Sequence, residues 1–82
     1  MPAITGTVSR EGKPLGGAYV RLIGPSGEFV AEEYTADDGA FAFNVVAGTW
    51  TVEARAAHSE TATKPVEVGP IDASVWVDLK PA

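Results

Sequence analysis

Thr35-Ala36-Asp37-Asp38-Gly39-Ala40-Phe41-Ala42-Phe43 joins a turn directly to an extended segment. Asp37, Asp38 and Gly39 are a strong hairpin signal, because aspartates bond their own backbone and Gly39 can take a positive φ without a Cβ penalty. Phe41, Phe43 and then Val45 recur at every second position. A strand sends such residues to one face, so an apolar face follows the turn at once.

The same alternation, broken by Gly, Pro and Asp, extends in both directions. Ile4, Gly6 and Val8 alternate with Thr5, Thr7 and Ser9 before a turn at Glu11–Pro14. Ala18, Val20 and Leu22 alternate with Tyr19, Arg21 and Ile23, and the cluster Gly24-Pro25-Ser26-Gly27 closes that strand, since Pro25 has no amide to give a ladder. A third strand runs roughly from Glu28 to Thr35. Beyond Phe43, Ala47 and Gly48 turn the chain into Thr49–Ala57, where Trp50, Val52 and Ala54 share the inward face. A polar stretch from His58 to Lys64 leads to a short strand near Val66–Val68 and a turn at Gly69–Pro70. The last strand points Val75, Val77 and Leu79 inward. Ala-rich Glu53–Thr63 is the one competitor for helix, and its threonines and preceding alternation favour strand followed by loop.

This pattern predicts an all-β fold of about seven short strands, an antiparallel β-sandwich. A single sheet would leave one apolar face wet, so two sheets packed face to face are the economical solution. The 82 residues form one domain, 1–82, with no room for a second core. Hydrophobic residues are 45% and charged residues 21%, an ordinary globular balance. The net charge of −5 opposes binding to nucleic acid or anionic lipid. No run reaches the roughly 20 apolar residues of a membrane span. Neither a basic start nor an apolar leader is visible, so the default expectation is a cytoplasmic chain.

Three segments together resemble a known family. They are Gly6-Thr7-Val8 with Gly12-Lys13-Pro14-Leu15-Gly16-Gly17-Ala18 and Val20; Thr35–Phe43; and Ala47-Gly48-Thr49-Trp50-Thr51-Val52. In order and spacing they resemble the carboxypeptidase regulatory-like domain, which implies a transthyretin-like Greek-key sandwich over nearly the whole chain. Within that group, Tyr19-Val20-Arg21-Leu22, Gly27-Glu28-Phe29, Ala31-Glu32 and Gly48–Val52 resemble a narrower actinobacterial family often encoded beside thiosulfate sulfurtransferases. That resemblance implies an accessory role and a sulfurtransferase as candidate partner. It also implies a short cysteine-containing leader, which these residues lack.

The residue inventory speaks against catalysis. Cysteine is absent, which removes thiolate chemistry and cysteine-based zinc sites. His58 is the only histidine. Ser59 and Glu60 follow it directly, and adjacent strand residues face opposite ways, so the three make a poor triad. Hydroxyisourate hydrolase shares the transthyretin-like fold, but its pattern needs several histidines and a tyrosine–arginine–glycine–serine end, whereas this chain reads Leu79-Lys80-Pro81-Ala82. A Lys–Asn isopeptide crosslink, known in related surface sandwiches, would have to use Asn44, which alternation turns outward after Phe43. Asp37 and Asp38, even with Glu32 and Glu33, fall short of the oxygen set calcium requires and read as a turn. The glycines match no phosphate-cradling motif. No catalytic, cofactor or metal residue is therefore expected.

The chemistry points to binding. Alternation turns Trp76 outward between Val75 and Val77, and turns Tyr19, Arg21 and Tyr34 outward on the second and third strands. These residue types are enriched at interaction hot spots. Trp76, Tyr19, Arg21 and Tyr34 are accordingly the candidate interaction surface, with an outward Trp beside an outward Arg able to take a peptide edge or a sugar ring; the alternative for Trp76 is that it covers a sheet edge or stacks on a neighbouring side chain within the monomer. The expected function is a non-enzymatic protein-interaction or accessory module, with a carbohydrate-binding module and a self-associating domain as alternatives. Monomer and homodimer both stay open.

Overall fold

The computed structural model describes residues 2–82, which form eight strands and no helix. The strands are β1 (Ala3–Arg10), β2 (Lys13–Pro14), β3 (Tyr19–Ile23), β4 (Phe29–Tyr34), β5 (Ala40–Asn44), β6 (Gly48–Arg55), β7 (Ala62–Val68) and β8 (Ala73–Leu79). In the first sheet β1 is central. β8 lies along one side of it, and β5 followed by β2 lies along the other. The second sheet has the order β4-β3-β6-β7. This is the all-β sandwich that the alternation predicts.

The inward faces are those read from the sequence. Ile4, Val8, Phe41, Phe43, Val77 and Leu79 of the first sheet meet Val20, Leu22, Trp50, Val52, Ala54, Val66 and Val68 of the second. Trp50 is buried, and its indole N–H donates to the Val46 carbonyl at 2.9 Å. That bond lets an amphipathic ring sit in the core without an unpaired donor.

Four details depart from the sequence expectations. First, the Glu11–Pro14 turn is tighter than expected: Glu11 and Gly12 both take positive φ, and Lys13–Pro14 return as a short strand on β1. Second, the Asp37-Asp38-Gly39 turn does not close a hairpin between paired strands. Its local geometry is tight, with Gly39 N donating to Ala36 O at 2.8 Å, yet β4 and β5 lie in different sheets. Long-range bonds decide this. Gly39 O accepts from Val8 N on β1, while Thr35 N donates to Ala18 O just before β3, so the two arms are held to opposite sheets.

Third, β7 is longer than the expected Val66–Val68, because Ala62–Pro65 also pair with β6. These polar residues, and Pro65 in particular, suit an edge strand, where a missing amide breaks no ladder. Fourth, the β1–β8 ladder is parallel, in register from Ile4↔Ala73 to Arg10↔Leu79.

Candidate functional site

The outer face of β3 and β4 collects most of the large exposed hydrophobic side chains. Tyr19, Phe29, Val30 and Tyr34 are all exposed there, Tyr34 at 64%. Register explains the gathering: Tyr19 lies opposite Tyr34, and Arg21 opposite Glu32. The tyrosine rings meet edge to face with centroids 4.7 Å apart. A bulge between Leu22 and Ile23 sets Ile23 opposite Phe29, so that the Arg21 guanidinium lies 5.5 Å from the centre of the Phe29 ring.

Arg21 Nε also donates to Glu32 Oε2 at 3.0 Å. An exposed pair of this kind adds little stability and chiefly orients the guanidinium. On the other side of β3, Arg55 of β6 pairs with Tyr19. Tyr19, Arg21, Glu32 and Arg55 together line a shallow open depression of about 340 Å³. The patch thus offers ring faces, two guanidinium groups and a carboxylate on one nearly flat surface.

β4 is also a sheet edge. The bond from Thr35 N to Ala18 O sets the phase of the ladder. Bonded and non-bonded pairs alternate along an antiparallel ladder, so the backbone groups of Glu33 and Ala31 face β3 while those of Tyr34 and Glu32 face outward.

Of the four residues expected to form a surface, three come together and one does not. Trp76 is half exposed, at 53%, but it stands on β8 of the first sheet, on the opposite side of the sandwich from Arg21. An outward Trp beside an outward Arg is therefore corrected. Strand parity finds outward residues but does not say which sheet carries them. Arg55 and Phe29 join the patch unannounced. Arg55 follows the inward Ala54 on β6 and so faces outward, but its place beside Tyr19 depends on register, and that of Phe29 on the bulge.

Among the described residues, no side chain weighed for catalysis, calcium binding or a crosslink is hydrogen-bonded to another of them. His58 is exposed in a turn at φ 57°. The Ser59 hydroxyl donates to Ala57 O and accepts from Arg10. Asp38 Oδ1 accepts from the Ala40 amide, a bond internal to its turn. Asn44 is exposed, as alternation requires. Among the described residues no group of three or more His, Asp or Glu is placed to hold a metal ion. Among the described residues no helix is long and apolar enough to cross a membrane.

Comparison with known proteins gives a family and a fold. Residues 2–77 match the family described as "Protein of unknown function (DUF1416)". The chain is 42% identical over 81 residues to an uncharacterized protein of Mycolicibacterium smegmatis, covering 96% of this chain and 87% of that protein. Over 55 residues it is 44% identical to uncharacterized protein Rv0814c of Mycobacterium tuberculosis, covering 66% of this chain and 55% of the other. Among solved structures, the Bacillus anthracis TIE protein superposes with a TM-score of 0.79 at 17% identity, over 99% of this chain and 16% of that one. The dioxygenase domain of a dioxygenase–carbohydrate-binding protein fusion from Streptomyces sp. SirexAA-E superposes at 0.77 with 15% identity, over 98% of this chain and 79% of that one. At these identities the two structures share the sandwich alone.

Proposed function

The chain belongs to the DUF1416 family, and from the geometry of its β3–β4 face we propose that it is a non-enzymatic accessory module that binds a partner protein. The carrying observation is the concentration of Tyr19, Phe29, Val30 and Tyr34 around Arg21 on two adjacent strands. Tyrosine and arginine are the types that dominate binding energy, and short-χ aromatic rings lose little entropy when covered. The outward backbone groups of Glu32 and Tyr34 let an extended partner segment add as a further strand, with the ring patch reading its side chains.

A different protein fits this edge better than a second copy. Antiparallel pairing of two β4 strands centred on Glu32 and Glu33 opposes like charges, which is destabilising. A thiosulfate sulfurtransferase, the partner that the sequence resemblance implies, is the first protein to assay.

The test is quantitative capture from a Mycolicibacterium smegmatis lysate with the wild-type domain and a folded Tyr19→Ser/Tyr34→Ser variant. Each enriched protein is then titrated into the labelled domain. One protein that is lost with the variant and shifts the amides of β3 and β4 supports the reading. Equal capture by both baits, or shifts confined to other strands, overturns it.

A further inference from the structure

The outer face of the first sheet carries a second, chemically different feature. Trp76 lies opposite Thr7 on β1, but its indole N–H reaches further along that strand to donate to Ser9 Oγ at 2.9 Å. The ring is therefore laid diagonally across the β1–β8 ladder. Ser9 beneath it is fully buried, although alternation places it on the outer face. Its hydroxyl donates in turn to Asp78 Oδ1 at 2.6 Å, and the same oxygen accepts from Gly12 N at 3.1 Å. Two hydrogen bonds in series thus fix the orientation of a half-exposed aromatic ring before anything binds.

Beside the ring lies an open depression of about 420 Å³, lined by Thr5, Gly6, Thr7, Ser74, Val75 and Trp76. No charged side chain lines it. The hydroxyls of Thr5, Thr7 and Ser74 bond to no other described residue, unlike those of Ser9, Thr35, Thr49 and Ser59. Each is free to donate and to accept.

We infer that this face binds a neutral sugar ring, a site independent of the β3–β4 patch. A pyranose presents C–H groups on its faces and hydroxyls around its rim. The electron-rich face of the indole suits the first, and the three free hydroxyls suit the second. No cationic side chain lines the depression itself, which disfavours phosphate or sulfate esters. A peptide strand is disfavoured as well: Lys64 Nζ reaches from β7 to the Trp76 carbonyl at 2.6 Å and occupies the β8 backbone where a strand would add. The depression is of a size suited to a small ligand, and a fixed aromatic ring with a few polar groups around it is the usual composition of such sites.

The experiment titrates the isotopically labelled domain with maltohexaose, cellohexaose and mannohexaose, each to about 5 mM, a range that detects sites of few contacts. The expected result is saturable movement of the Thr5, Thr7, Ser74 and Trp76 amides with at least one of the three. Trp76→Ala should then weaken binding about tenfold or more, equivalent to 1.4 kcal/mol per tenfold. Thr7→Val keeps the side-chain shape and guards against misfolding of the Trp76 variant. It should weaken binding roughly fivefold, the loss of one hydrogen bond. No saturable shift with any of the three sugars overturns the proposal. So does binding that survives Trp76→Ala, or that maps to the second sheet.

Discussion

Tyr19 and Tyr34 face each other across the β3–β4 ladder, with rings 4.7 Å apart and inclined at 67°. The proximity raises the Tyr34 hydroxyl above its ordinary value of 10.0, first through Tyr19 and then through desolvation and the Glu32 carboxylate. An alkaline titration followed by tyrosinate absorbance should show a late component assigned to Tyr34. Tyr19→Phe should move that component back towards 10.0, because it removes the leading cause.

Asp78 should make stability fall in acid. Its carboxyl is held below the usual value of 3.8 by the Ser9 hydroxyl and then by the Gly12 amide, against an opposing desolvation. A group with a depressed native value contributes in full above its unfolded value. That contribution shrinks as the pH falls below 3.8 and is gone once the pH is under the native value. Urea unfolding at a series of pH values should find Asp78→Asn less stable than wild type at neutral pH. The gap should narrow progressively in acid.

Gly39 and Gly12 separate backbone strain from steric collision. Both have φ of +80°, but a Cβ on Gly39 would fall 2.4 Å from Val8 O, while one on Gly12 meets nothing within 4 Å. Gly12→Ala should lower unfolding free energy by about 1–2 kcal/mol, the left-handed backbone cost alone. Gly39→Ala should exceed that and reach about 3 kcal/mol or more, because backbone must move. Chemical denaturation of the two variants side by side reads the difference.

Lys64 should act as an edge guard. Its bond to the Trp76 carbonyl covers the outer backbone of β8, and charged side chains of this kind keep sheet edges from pairing with other chains. Lys64→Ser should associate in a concentration-dependent way by sedimentation velocity, under conditions where the wild type sediments unchanged.

Side-chain parity is legible in β3, β5 and β6. Val20 and Leu22, Trp50, Val52 and Ala54, and Phe41 and Phe43 all lie where period two sends them. Sheet membership is not. A turn such as Asp37-Asp38-Gly39 has the same local chemistry whether its arms pair or diverge, and only the bonds from Val8 to Gly39 and from Thr35 to Ala18 decide. The parallel ladder joins opposite ends of the chain and leaves no local trace. The same limit governed the surface. Tyr19, Arg21 and Tyr34 were outward by parity, but separating Trp76 from them and bringing Arg55 and Phe29 to them required register. The onset of β7 was masked because Thr63, Lys64 and Pro65, at a sheet edge, have no apolar rhythm to show.

β1 and β8 run side by side in the same direction, paired from Ile4–Ala73 to Arg10–Leu79. A pull on the start of β1 against the end of β8 drags the two strands past each other along their length. Every rung of the ladder then resists at once, whereas an antiparallel hairpin pulled at its open end peels one rung at a time. With Ile4, Val8, Val77 and Leu79 also anchored in the interior, sliding must break side-chain packing together with the ladder. Load applied between the start of β1 and the end of β8 is therefore carried in shear, along the full parallel ladder.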